Sequence, residues 1–342
     1  MKIAIIAAPF VGGGHIRGFA YRNYLQSKNH CVDMLLVDES LQSKIHLFYE
    51  RTLAYFSGKE PRLMKKIAEQ LERRIRKENY DVVIGVESLF SHVLTRNLNC
   101  LKLFSWESIF ADEVYFEMSQ KKTVDFERIH RIREMELEIC RASDYVIFPW
   151  ATTENYVRAY IYNGDNFVTL KYGCYPQIKP VSYFFPVSIV SMGNLKNYWS
   201  NKELVSYLTR ISPYSIDVYG KYKPEKEYKL NYKGFAPSLE ILRNYQFALN
   251  SVSKEIYRRN HHSSRILTYL SYGLPVLSPS WLKFSHDLKG VLPFNEDNFL
   301  DVLEDNLDPN KWEKISREAY DQAIELDWKK VLKPLEMMIE KG

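Results

Sequence analysis

Cysteine is scarce in this 342-residue chain, and the four present, Cys31, Cys100, Cys140 and Cys174, show no paired metal-ligand spacing. That excludes a zinc ribbon or a disulfide framework and fits reduced thiols in a cytoplasmic protein. Long apolar runs are also missing. The opening "MKIAIIAAPF" falls far below the roughly 18 to 20 residues that cross a bilayer, and it runs into glycines rather than a cleavage site, so it reads as a strand. A strong excess of one charge is lacking: 47 Lys and Arg against 42 Asp and Glu leave +5. That is too little to demand nucleic acid, and it is compatible with acidic metabolites or an anionic membrane surface. No repeat or low-complexity tract occurs. The glycine-rich "VGGGHIRG" does not have the dinucleotide spacing, and Asp38 at the end of the second expected strand is an insecure ribose partner, which argues against a nicotinamide dehydrogenase.

What is present is the composition of an ordinary globular protein, 46% hydrophobic and 26% charged, in a chain longer than one core usually serves. Two domains are the expectation. "KIAIIAAPF", a glycine turn opening a helix, and "CVDMLLVD" make a βαβ unit, and "YDVVIGVE", "CLKLFSW" and "RASDYVIFP" extend the series. A linker-like stretch with Gly173, Pro176, Pro180 and Pro186 follows. A second series then starts with "VSIVSMGNL", "NKELVSYLTRI", "YSIDVYGKY", "SLEILRNY" and "FALNSVS". Alternating strands and helices imply parallel sheets covered on both faces. The fold class is therefore α/β, with two Rossmann-like halves facing a central cleft where open sheets bind ligands.

The stretch "HHSSRILTYLSYGLPVLSPS" completes the second series. Ile266, Leu267, Leu270 and Leu274 recur at helical spacing, Ser263 or Ser264 is placed to cap, and Gly273 with Pro275 is a stop signal. Ser263, Ser264 and Arg265 thus sit at a helix N-terminus, where free N–H groups and the helix dipole favour an anion. Phosphate is the leading candidate. His261 and His262 are contacts or plain loop residues on equal terms.

Together "SMGNLKNYWSNKEL", "DVYGKY", "NYKGF", "SSRILTYLSYGLPVLSP" and "LDWKKVLKPLEMMIEK" resemble the nucleotide-sugar half of GT-B glycosyltransferases of the broad family-four-like group. "PFVGGGHIRGFAYRNYL" and "TLKYGCYPQIKP" resemble that group's N-domain loop and domain crossover. The run from Ser264 to Pro275 is the most specific of these. The resemblance implies an acceptor-binding domain over 1–175, a donor-binding domain over 176–325, and a terminal helix over 326–342, around Trp328, packing back on the first domain. It implies a metal-independent enzyme that moves a sugar from a nucleotide-diphosphate donor, UDP-linked rather than GDP-linked, to a hydroxyl of a glycan or lipid-linked acceptor. Donor contacts are expected from Gly13, Gly14, Gly193, Asn194, Lys202 (or Lys196), Gly220, Phe235, His262, Ser263, Ser264, Arg265 and Thr268. Arg265 would neutralise the leaving diphosphate, and Gly234 with Phe235 would flank the base.

One departure concerns catalysis. Retaining members carry two glutamates where this chain has Asn260 and Thr268, so an inverting displacement with a single base is the expectation. Glu107, after the strand "CLKLFSW", resembles the acidic residue of glucuronosyltransferase-like inverting members, with Asp112, Glu113 and Glu87 as competitors; by the resemblance the other catalytic candidate, His15, lies at the mouth of the cleft, with a capped, structural histidine as the equal alternative. The missing pair leaves open a non-catalytic sugar-nucleotide or glycan-binding module and a sugar-nucleotide epimerase. No metal and no bound cofactor is expected. Finally, "RLMKKIAEQLERRIRKE" reads as an amphipathic helix on Leu63, Ile67, Leu71 and Ile75; its basic face is either solvated or a peripheral contact at the inner face of a membrane.

Overall fold

A computed structural model describes residues 1–7, 13–35, 60–193, 200–224 and 230–341. The chain divides into two units, Met1–Tyr172 with Val331–Gly342, and Gly173–Lys330.

The first unit is built on six parallel strands: β1 Lys2–Ile6, β2 Cys31–Leu35, β3 Val82–Val86, β4 Leu101–Ser105, β5 Tyr145–Phe148 and β6 Phe167–Thr169. Their order is β2-β1-β3-β4-β5-β6, so the chain reverses direction across the sheet between β1 and β3. The central strands are continuous apolar runs because both faces are covered, and every residue of β3 is buried. Helix Gly13–Gln26 leans closely on β1: a Cβ on Gly18 would stand 2.7 Å from the Ala7 Cβ. Helix Glu60–Glu78 buries Met64, Ile67, Leu71 and Ile75 and turns its basic side to solvent. The final helix, Lys333–Lys341, buries Leu335, Met338 and Ile339, and its Glu336 accepts from the Tyr24 hydroxyl at 3.0 Å and pairs with Lys28 at 3.0 Å.

The second unit repeats the plan with β7 Ser188–Met192, β8 Ser215–Tyr219, β9 Asn231–Gly234, β10 Phe247–Leu249, β11 Val276–Pro279 and β12 Val291–Phe294. The order is β12-β11-β10-β7-β8-β9, all parallel, with the reversal between β7 and β10. "SLEILRNY" folds as a short 3₁₀ turn, Leu239–Asn244, rather than an α-helix. Helix Ser264–Ser271 ends as the stop signal requires, at Gly273 with φ +73°. Helix Pro309–Glu325 buries Trp312, whose indole N–H donates to the Gln246 carbonyl at 2.8 Å. Trp328 belongs to this unit: it is buried, and a Cβ on Gly173 would meet its ring at 2.7 Å. The return to the first unit therefore starts at Val331 rather than at 326, because the indole anchors the preceding turn beside Gly173.

Candidate functional site

The C-terminal edge of the second sheet carries a built cationic site. β7 ends at Met192, whose N–H donates to the Tyr269 hydroxyl at 2.8 Å, and the next residue, Gly193, takes φ +138°. Tyr269 is 1% exposed, so this tie between strand end and helix Ser264–Ser271 is made in the core. β10 ends nearby in buried Asn250 and Ser251. Into this corner reaches the half-buried Arg265, which donates from Nη1 to the Met192 carbonyl at 3.0 Å and from Nη2 to the Ser251 carbonyl at 3.2 Å. A longer contact, 3.5 Å, runs to the Ser200 hydroxyl.

Neutral acceptors hold that guanidinium, and among the described residues no carboxylate pairs with it. Burial lowers its pKa, but a guanidinium stays charged at any physiological pH. The site thus holds a fixed positive charge with spare donor capacity. Ser263 stands at the cap position of the helix yet does not cap it; its hydroxyl donates to the Asn250 side-chain oxygen at 3.1 Å instead. The first-turn N–H groups are left for another acceptor, and the helix dipole adds to the field of Arg265. The buried hydroxyls of Ser251 and Ser253 also lack a hydrogen-bond partner among the described residues. This combination suits a phosphate or diphosphate.

Around it, His261 and His262 stack with centroids 4.5 Å apart, and His262 meets Phe284 edge-on at 6.3 Å. Thr268 lies one turn beyond Ser264 and donates to its carbonyl at 3.0 Å, so its hydroxyl proton is spent inside the helix. Lys202 opens helix Lys202–Ile211, which Asn201 caps by accepting from the Leu204 N–H at 3.0 Å. Gly220 follows β8, donating its N–H to the Gly234 carbonyl at 3.0 Å. Gly234 takes φ +89° with open space where a side chain would be, and the Phe235 ring after it is 72% exposed. The structure therefore groups Gly193, His262, Ser263, Ser264 and Arg265 tightly, with Gly220 and Phe235 at the ends of β8 and β9. Asn194 and Lys196 lie outside the described residues. Sequence reasoning missed Tyr269, Asn250 and Ser251: the first reads as an ordinary helical aromatic, and the signal for the others is only a polar pair straight after an apolar strand.

At the corresponding edge of the first unit, Glu107 follows β4 as expected, but it is not an open carboxylate. It is 2% exposed, its Oε1 lies 3.0 Å from Arg17 Nε, and it accepts from the Ser105 hydroxyl at 2.7 Å. Arg17 is itself fully buried and donates to the Tyr21 hydroxyl at 2.6 Å and the Leu170 carbonyl at 2.6 Å. The side chain turns inward because an arginine buried in the helix opposite would otherwise carry an unpaired charge. Burial pushes the Glu107 carboxyl above the usual range, with Arg17 pulling against it. Asp112 pairs with Arg133 and accepts from the Tyr156 hydroxyl at 2.9 Å. Glu136, fully buried, accepts from Ser88, the Trp106 indole and the Phe110 and Ala111 N–H groups, anchoring the turn that follows β4. Gly13, Gly14 and His15 form the first turn of helix Gly13–Gln26; the His15 side chain lies outside the described residues. Among the described residues there is no cluster of three His, Cys, Asp or Glu that could hold a metal, and no helix long and apolar enough to cross a membrane.

By sequence, no family model and no curated protein matches the chain. Solved structures match it throughout. A sucrose-phosphate synthase from Thermosynechococcus elongatus superposes with a TM-score of 0.75 at 14% identity, over 100% of this chain and 98% of that one. The Anabaena protein HepE, in complex with UDP and glucose, gives 0.65 at 11% identity over 100% of both chains. The lipopolysaccharide outer core galactosyltransferase WaaB, in its apo form, gives 0.63 at 12% identity over 100% and 99%. Two parallel six-stranded sheets, in a chain matched from end to end by such structures, give this protein the two-domain α/β fold of the GT-B glycosyltransferases.

Proposed function

We propose that this protein is a glycosyltransferase that takes a sugar from a UDP-linked donor, bound by the second unit, to a hydroxyl of a glycan or lipid-linked acceptor. The observation that carries this reading is Arg265, a fixed cation at a helix N-terminus whose protein partners are neutral. As the bond between the anomeric carbon and the diphosphate breaks, charge builds on the departing phosphate oxygens. Arg265 and the first-turn N–H groups are pre-set to stabilise it without a metal ion. Lys202 and Ser264 are further contacts to the diphosphate, Thr268, whose proton goes to the Ser264 carbonyl, meets the donor only as an acceptor, and the exposed Phe235 face receives the base. HepE, solved with UDP and glucose, supports the choice of donor class.

The exposed cationic side of helix Glu60–Glu78, with Lys65, Lys66, Arg73, Arg74 and Lys77, favours a lipid-linked acceptor at an anionic membrane surface. Mass-spectrometric screening of nucleotide sugars, with calorimetry against UDP, tests the proposal: a purified protein that neither binds UDP nor releases it from any UDP-sugar is not this enzyme. A second reading has its own support. Asn260 and Thr268 both direct their side chains to backbone carbonyls, of Ile256 and Ser264, so this arm supplies no carboxylate to the donor. UDP-sugar binding without transfer or hydrolysis would make the protein a binding module, and interconversion without an acceptor would make it an epimerase.

A further inference from the structure

β10 and β11 pair with Leu249 beside Leu277, and the register carries on past the strand ends. The Asn250 N–H donates to the Leu277 carbonyl at 2.9 Å, and its side-chain amide donates to the Ser278 hydroxyl at 3.3 Å. Counted forward in that register, Ser251 lies level with Pro279 and Ser253 level with Trp281. Lys254, the next residue, sets its ammonium over the Trp281 ring, 5.2 Å from the centroid. The two loops that leave these strands therefore meet just beyond the strand ends.

This corner is rich in donors and, among the described residues, gives them nothing to donate to. Ser253 is 8% exposed, and its buried hydroxyl makes no hydrogen bond. The Trp281 indole nitrogen is likewise buried without an acceptor, although an indole N–H can only donate. Lys254 is exposed, and no carboxylate among the described residues pairs with its ammonium. Buried donors left unmade cost the free protein stability, and a bound acceptor removes that cost.

The place of this corner in the second unit says which part of a ligand reaches it. Arg265 donates to the Ser251 carbonyl at 3.2 Å, and the two residues from there to Ser253 span at most about 7 Å of chain, the reach of one pyranose ring. Across the sheet the order is β11, β10, β7, β8, β9. Phe235 follows β9 on one side of Arg265, and Trp281 follows β11 on the other. A donor with its diphosphate on Arg265 and its base at Phe235 thus extends its sugar toward Trp281. One hydroxyl of a neutral sugar is served by one donor. Two donors and a cation suit a group with two oxygens and a negative charge.

We propose that the donor sugar is a uronic acid, its carboxylate held by the Lys254 ammonium, the Trp281 indole N–H and the Ser253 hydroxyl. The proposal rests on the UDP-sugar reading above and gives that donor a chemical class. An anion at this corner has two sources in such a donor, the sugar carboxylate and the diphosphate itself, and the test separates them.

Calorimetry on the full chain compares UDP with two pairs of UDP-sugars: UDP-glucose with UDP-glucuronate, and UDP-galactose with UDP-galacturonate. Wild type should bind the acid about tenfold or more tighter than the neutral sugar in at least one pair, the difference one charge-assisted contact makes. Lys254→Met, which keeps a stem over the indole and deletes the charge, should abolish that preference and leave UDP affinity unchanged. Trp281→Phe should reduce the preference while keeping an aromatic ring in place. Ser253→Ala should reduce it with an unfolding midpoint no lower than wild type, because the hydroxyl removed is unbonded in the free protein. No preference for the acid in either pair overturns the proposal, as does a Lys254→Met protein that retains the preference. If Lys254→Met weakens UDP as much as the UDP-uronate, the ammonium serves the diphosphate and the uronate assignment is rejected. Wild type that binds no UDP fails the donor reading itself, whereas UDP binding without an acid preference rejects this proposal alone.

Discussion

The Arg265 guanidinium fills the space where Gly193 would carry a side chain: a Cβ there would stand 2.7 Å from Nη1. The glycine and the arginine thus form one device, in which a positive-φ strand end leaves room for a cation held by the Met192 carbonyl. Arg265→Ala is expected to weaken UDP binding at least tenfold, because a charge-assisted phosphate contact contributes about 1.5 to 3 kcal/mol. Gly193→Ala should do the same although the arginine itself is unchanged, since the added methyl displaces its guanidinium. Calorimetry that finds UDP affinity intact in both variants would remove the pair from the donor site.

Glu107→Ala should cost stability rather than donor binding. It leaves Arg17 buried with no counter-charge, a loss of about 3 to 5 kcal/mol in such sites. Urea denaturation should show the lowered midpoint, and UDP titration should show the second unit unaffected. A variant as stable as wild type would mean that the buried pair contributes nothing net.

Glu336 gives the fold a pH dependence with a definite sign. Its hydrogen bond from Lys28 holds the carboxyl below its ordinary 4.5, with Tyr24 adding to the effect. The ionised form is the one the folded state favours. Its contribution is therefore full above about pH 4.5 and lost as pH falls through the lowered folded value. Acidification should speed amide exchange in Lys333–Lys341 before the rest of the first unit opens, and Glu336→Gln should show the faster exchange already at neutral pH. Exchange in that helix that stays slow until global acid unfolding would count against the tie.

Chelation should leave transfer intact. The charge on the leaving diphosphate is met by Arg265 and backbone N–H groups, and the described residues contain no metal-ligating cluster. Activity lost in EDTA and restored by magnesium or manganese would contradict this.

The buried strands were readable in the sequence because their apolar runs are unbroken: "KIAII", "VVIGV" and "SIVSM" become β1, β3 and β7. Strands β6, β9 and β12 were not. All three are sheet edges, three or four residues long, and half-exposed, so neither a continuous nor an alternating pattern marks them. The anion site shows the same division. Serines and an arginine ahead of an amphipathic helix announce themselves through local spacing, so Ser263, Ser264 and Arg265 could be named. Their partners, Met192 and Ser251, are far away in sequence and act through backbone carbonyls, which no residue type encodes. The inward turn of Glu107 is hidden from the sequence for a related reason. Its place after a strand is local information, whereas the arginine that draws it inward, Arg17, comes from a helix 90 positions earlier.

Because Val331–Gly342 belongs with Met1–Tyr172, the first unit is sewn shut by a stretch of chain made after the whole of the second unit. During synthesis its sheet must wait, with the seat of Leu335, Met338 and Ile339 uncovered, while the whole of Gly173–Lys330 is extruded and collapses. The second unit, a single uninterrupted segment, has no such delay. Maturation thus runs opposite to the reading order of the gene, the downstream unit being able to finish before the upstream one. Removing Val331–Gly342 would accordingly damage the unit built on Met1–Tyr172.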